Sequence, residues 1–269
     1  MRSTILSTAA AILLSMASVL SASPTVEGTW TATQERDAQL QVWLFWNSTM
    51  WSQRFARSEL HGLSEDGIAS AISTPVSFRI EREAGVFEFE GVFKQGKGTG
   101  RLRFNPDREF AQMLRSLGIK GTDRVTEHDL MLLTLRPVST AAIREFTALL
   151  GSLSVREVVE LAVHGVTPDY VRSVRSLGLS GTNTVSGVVE MRIHQITREY
   201  VRDLEALGYG DLSRPQLLQM GIHGVSREQI QGLERVGYGR LSPGQLVAMR
   251  IHRVTPAFVR EMREALAGN

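Results

Sequence analysis

The chain has 269 residues, of which 42% are hydrophobic and 22% charged, and its formal net charge is +2. This composition excludes a globally disordered chain and predicts one or two domains with a sizeable core. The absence of cysteine excludes a disulfide scaffold, a cysteine-ligated zinc or iron–sulfur site and a thiol nucleophile.

The first 23 residues predict a secretory signal peptide. Arg2 provides a positive start, residues 5–20 are apolar, and small residues follow, so cleavage is expected after Ala22 or Ser23. An uncleaved anchor helix is the alternative. No later segment is a long apolar run, so we expect an exported protein, periplasmic or extracellular, with no membrane span after cleavage.

Residues 24–106 predict a small antiparallel β-domain. Phe87 and Phe89, for example, alternate with Glu88 and Glu90, which places one face of a strand on a core and the other in water. Turn-like breaks between such runs favour about six strands. We expect these strands to close as a small β-barrel or sandwich.

Residues 107–269 predict an array of short helix-turn-helix repeats, so the whole chain is expected to be α+β. One motif recurs every 29 or 30 residues: an aliphatic residue, His, a variable residue, Val or Ile, and then Thr or Ser. Its histidines are His164, His194, His223 and His252, and Arg136 takes the His position in a degenerate earlier copy. Repeats of this length are typical of stacked units, as in an α-solenoid.

The repeat motif also predicts where helices begin and end. The expected N-cap residues are Thr167, Thr197, Ser226 and Thr255, whose hydroxyls would accept a backbone N–H bond. Each histidine ends the preceding helix, where a cation or donor satisfies the last carbonyls. Stacked helices lie about 8–10 Å apart, so these histidines cannot converge on one ion. We therefore predict helix caps, with no metal and no cofactor.

Four tryptophans in the β-domain form the candidate ligand pocket: Trp30, Trp43, Trp46 and Trp51. Gly28-Thr29-Trp30 also resembles the G-x-W signature of lipocalin ligand-binding barrels. The competing interpretation is that these rings fill the core, as large aromatic side chains commonly do.

The sequence contains no recognisable catalytic constellation. There is no H-E-x-x-H motif and no G-x-S-x-G elbow, so we expect a protein that is not an enzyme. The arginines of the repeats have acidic residues nearby, whereas a nucleic-acid site needs an uncompensated basic stripe. We therefore expect no nucleic-acid partner.

The segment Val76–Phe104, together with the R-I-H-x-[VI]-T repeats, resembles a bacterial two-part exported module. Such modules are associated with secreted proteins and with the extracytoplasmic tails of membrane zinc metallopeptidases of the antirepressor or beta-lactam-sensor type. The peptidase domain has no counterpart in this sequence, so the resemblance implies a sensor or interaction tail and no catalytic residue. We expect the repeats to bind a protein or peptide partner in the cell envelope. The alternative is a lipid-like or antibiotic-like small ligand bound by the β-domain.

Overall fold

The structure, a computed structural model, describes residues 26–35 and 39–267. The predicted signal peptide, residues 1–23, lies outside the described residues. Within the two described ranges, none of the helices has the length and hydropathy of a membrane span.

The first part of the chain forms one six-stranded antiparallel sheet. Its strands are β1 (Val26–Gln34), β2 (Leu40–Trp46), β3 (Thr49–Phe55), β4 (Thr74–Arg82), β5 (Gly85–Lys94) and β6 (Lys97–Pro106). The strand order is β3-β2-β1-β6-β5-β4. The end strands β3 and β4 do not pair with each other, so the sheet is open. The expected closure into a barrel or a two-sheet sandwich is not found in the described residues.

One face of the sheet carries the aromatic core of the β-domain. Trp30 is fully buried, and its ring lies 5.3 Å from the Phe78 ring in an edge-to-face arrangement. Phe78 stacks on Phe89 at 4.6 Å. On β2 only the even-numbered residues are buried, and Phe45 is exposed on the opposite face. Within the described residues, no second sheet covers this outer face.

Twelve α-helices accompany the sheet in the described residues, one inside the β-domain and eleven after it. They are α1 (Glu65–Ala69), α2 (Arg108–Ser116), α3 (Glu127–Leu135), α4 (Thr140–Leu150), α5 (Val155–Val163), α6 (Pro168–Arg175), α7 (Val185–Ile193), α8 (Arg198–Ala206), α9 (Arg214–Ile222), α10 (Arg227–Arg235), α11 (Pro243–Ile251) and α12 (Pro256–Ala267). The α+β class is therefore confirmed. Most of the helices have only eight to eleven residues, so their stability must come mainly from packing.

Five pairs of helices that are two apart in the chain contact one another. Helix α3 contacts α5, α5 contacts α7 and α9 contacts α11, while α4 contacts α6 and α10 contacts α12. The helices pack against the sheet through α3, which contacts β5 and β6. Thr140, at the start of α4, also donates a hydrogen bond to the carboxylate of Glu83. One continuous hydrophobic core runs from the sheet into the helices.

Candidate functional site

The four predicted N-cap residues each begin a helix of the even-numbered series. The Thr167 hydroxyl oxygen accepts a hydrogen bond from the Tyr170 N–H at 3.1 Å. The equivalent bonds join Thr197 to Tyr200 (3.1 Å), Ser226 to Gln229 (3.3 Å) and Thr255 to Phe258 (3.1 Å). In every case this bond fixes the backbone of the residue three positions after the cap. In α6 and α8 this residue is a tyrosine whose hydroxyl bonds a residue 26 or 25 positions further along the chain.

The four histidines lie at the C-terminal ends of α5, α7, α9 and α11. Their backbone N–H groups donate to the carbonyls four residues earlier, as at His223, which bonds Gln219 at 3.2 Å. Their imidazoles make no hydrogen bond to a helix carbonyl among the described residues. At α9 the Arg250 Nε donates instead to the His223 carbonyl oxygen at 2.9 Å. An arginine of the following unit therefore does what the sequence interpretation gave to the imidazole.

No group of three or more metal-ligating side chains lies close enough to hold an ion in residues 26–35 and 39–267. This statement includes the row of histidines.

The isoleucine before each of the last three histidines is exposed, whereas Val163, before His164, is half-buried. Ile193, Ile222 and Ile251 are 50%, 47% and 54% exposed, whereas their helix neighbours Met191 and Met220 are fully buried. Large aliphatic side chains at the same position of three successive units, each half in water, are not explained by the core.

Tyrosines connect one unit to the next. The Tyr170 hydroxyl donates to the Ile196 carbonyl oxygen at 2.8 Å, and the Tyr200 hydroxyl donates to the Val225 carbonyl oxygen at 3.0 Å. Burial raises the pKa of both phenols to about 12, with the nearby Arg192 opposing the rise at Tyr170. Both hydroxyls are therefore protonated donors at neutral pH.

Arginines connect the same units in the opposite direction. Arg172 of α6 donates to the Glu145 carboxylate of α4 at 2.6 Å, and Arg227 of α10 donates to Asp203 of α8 at 2.7 Å. Hydrogen bonds to Glu145 and Asp169 raise the pKa of Arg172. These two guanidinium groups are therefore neutralised by acids within the chain.

The tryptophans do not converge on one pocket. Trp30 and Trp46 are buried in the core of the β-domain, and Trp51 pairs with Leu44 on that same face. Trp43 pairs with Thr31 and lies on the opposite face, because successive residues of a strand point to opposite sides. The indole Nε1 of Trp30 donates to the Glu90 carbonyl at 3.3 Å, as a core residue would. The Trp51 Nε1 is buried and has no hydrogen-bond partner among residues 26–35 and 39–267.

An open cleft of about 630 Å³ lies between α10 and the segment that joins α11 to α12. Its lining includes Gln229, Arg250 and Val254. Gln229 is only 8% exposed, and neither atom of its amide group has a hydrogen-bond partner in the described part of the chain. A buried amide without partners is unusual in a folded protein, so a group outside the described residues is expected to bond it.

Sequence reasoning missed the tyrosine bonds, the exposed isoleucines and the buried Gln229. The repeat contained a usable signal for each, because Tyr170, Tyr200 and Gln229 occupy one position and the three isoleucines another. What the sequence alone could not indicate was which of these repeated positions faces a neighbour and which faces water.

No protein-family model matches this chain, and no curated protein and no solved structure shows significant similarity to it.

Proposed function

We propose that this chain is a non-catalytic exported protein whose helical units stack as an α-solenoid and bind a protein or peptide partner in the cell envelope. The observation that carries the proposal is the row formed by Ile193, Ile222 and Ile251, which we call the isoleucine row. The sensing role implied by the resemblance to peptidase tails agrees with a binding surface of this kind.

The three repeats keep isoleucine at the position of the row, whereas a nearby exposed position differs in residue type from repeat to repeat. One turn earlier in each helix the exposed residue is Glu190, Gln219 or Ala248, while the row itself keeps isoleucine. Helices α9 and α11 contact each other, and equivalent positions of packed helices lie about 8–10 Å apart, so one apolar segment could contact both Ile222 and Ile251. Soluble proteins seldom expose contiguous apolar patches unless the patch binds something.

A shallow groove lies on the same face of two of these helices. It has a volume of about 360 Å³ and is formed by Pro215, Gln216, Gln219, Pro243, Gly244 and Val247. None of these residues is charged, although 22% of the chain is. Ile222 lies three residues after Gln219 and so on the same side of α9. The groove and the row together would bury an apolar segment of a partner.

Photo-crosslinking in cells tests this proposal. A photoreactive amino acid at position 222 is expected to capture a specific partner, while the same group at position 72 is not, since Ile72 is exposed in the β-domain at 73%. Replacing all three isoleucines of the row with serine should abolish the interaction with the captured partner, and Ile72→Ser should leave it intact. The absence of any crosslink specific to position 222, or equal capture at position 72, would contradict the proposal.

The second candidate is a small-ligand binder that uses the β-domain, and one observation favours it. The buried, unpartnered Nε1 of Trp51 lies at the edge of the sheet, where the Arg136 guanidinium is 5.9 Å from the ring. Titration of tryptophan fluorescence with lipids and envelope-active antibiotics tests this candidate. A Trp51→Phe variant that keeps the full fluorescence response would count against it.

A further inference from the structure

The residue three positions after each N-cap shows a pattern that the proposed function does not use. It is Tyr170 in α6, Tyr200 in α8, Gln229 in α10 and Phe258, which is 47% exposed, in α12. Both tyrosine rings reach the next unit and donate a hydrogen bond to a backbone carbonyl there. Gln229 takes the place of the third tyrosine, but its shorter side chain makes no such bond in the described residues.

The surroundings that receive Tyr170 are repeated around Gln229. The Arg192 guanidinium lies 5.3 Å from the centre of the Tyr170 ring, and Ile196 supplies the carbonyl that accepts its hydroxyl. Two units later the equivalent residues are Arg250 and Val254, and both line the open cleft beside Gln229. The same cation and the same carbonyl are present, and only the phenol ring is missing.

The unpaired groups in the cleft have a defined chemistry. Both amide atoms of Gln229 are unpartnered, and the carbonyl oxygen of Val254 accepts no hydrogen bond from the described residues. A phenolic hydroxyl can donate one bond and accept another, so it complements an amide and a carbonyl at once. Arginine attracts the face of an aromatic ring, and Met249 and Pro256 give the lining apolar surface.

We propose that the cleft at Gln229 binds a para-substituted phenol ring in the place of the missing tyrosine. The ring lies against Arg250, and its hydroxyl is bound between Gln229 and the Val254 carbonyl. A phenol can come from a free aromatic compound or from a tyrosine side chain of a peptide. This site is separate from the isoleucine row and does not depend on the function proposed for that row.

Calorimetric titration of the full chain with p-cresol, which is the side chain of tyrosine, tests the proposal. We expect saturable binding, with toluene binding about tenfold more weakly because it lacks the hydroxyl. Gln229→Tyr fills the cleft from within, so it should abolish binding and raise the unfolding temperature. Ser186→Tyr adds the same ring at an exposed position of α7, away from both the cleft and the groove, and should leave p-cresol binding unchanged.

Three results would overturn the inference: no p-cresol binding up to its solubility limit, equal affinity for p-cresol and toluene, or unchanged binding in a folded Gln229→Tyr variant. If Gln229→Tyr does not fold, Gln229→Leu provides the test. This substitution removes the amide and should reduce the preference for p-cresol over toluene. An unchanged preference refutes the site. Capped Gly-Tyr-Gly and Gly-Phe-Gly peptides distinguish the sources. Binding of the tyrosine peptide alone supports a peptide ligand, and binding of p-cresol without either peptide supports a free phenol.

Discussion

The bond from Tyr200 to the next unit gives the most direct test of how the helical array is held together. Tyr200→Phe removes a single hydroxyl and keeps the ring, so any effect reports the 3.0 Å bond to the Val225 carbonyl oxygen. Val225 is buried, so its carbonyl would be left without this donor in a largely dry position. A hydrogen bond of this kind contributes about 1 kcal/mol, and an orphaned buried acceptor raises the loss to about 2 kcal/mol.

Urea unfolding followed by circular dichroism measures this loss as a lower midpoint with an unchanged slope. The matched control is Tyr238→Phe, because Tyr238 is half-buried and its hydroxyl has no partner among the described residues. Hydrogen exchange then locates the effect. Repeat units interact mainly with their neighbours, so the amides of α8 to α10 should exchange faster while those of the β-domain do not change. Equal shifts for both variants would refute the assignment of a stabilising role to the Tyr200 bond.

Three further predictions concern pH, caps and glycines. Burial raises the folded pKa of Tyr170 and Tyr200 to about 12. Their stabilising effect is therefore complete below the unfolded pKa of about 10 and is lost between pH 10 and 12. Across that window the Tyr170→Phe/Tyr200→Phe double variant should lose less unfolding free energy than the wild type. Thr197→Ala should lower the unfolding free energy by about 1 kcal/mol, because it removes the cap bond. Ser186→Ala, at an exposed position within α7, should change the unfolding free energy little. Equal effects of the two substitutions would contradict the capping role of Thr197. Gly187→Ala should destabilise the protein, because the added Cβ would overlap the Gly181 carbonyl oxygen. Gly244→Ala places its Cβ in open space and should stabilise the protein by about 0.5–1 kcal/mol. Thermal unfolding measures both effects, and a stabilised Gly187→Ala variant would show that the clash is absent.

Local features of this fold could be predicted from the sequence because they depend on neighbouring residues. Thr167 accepts the N–H of Tyr170 three residues away, and Gly178 adopts a left-handed φ of 68° where its helix ends. The alternation around Phe87 likewise determines which face of β5 is buried. In each case the cause and the effect lie within a few residues of each other.

Features that depend on distant parts of the chain could not be predicted in this way. The donor to the His223 carbonyl is Arg250, 27 residues away, and nothing in the motif around His223 indicates it. Closure of the sheet depends on whether β3 reaches β4, which is a matter of twist across six strands. Trp43 and Trp46 look alike in sequence, but their faces differ in burial because only one side of the sheet is covered.

The acceptors of the tyrosine bonds have a consequence for how the chain could change over evolution. Ile196 and Val225 accept these bonds through backbone oxygens, which every residue possesses. A unit inserted by duplication would therefore find its acceptor whatever its side chains were. These bonds therefore require no particular side chain on the accepting unit at a new boundary, whereas an ion pair such as that of Arg227 with Asp203 requires a matching residue on each side.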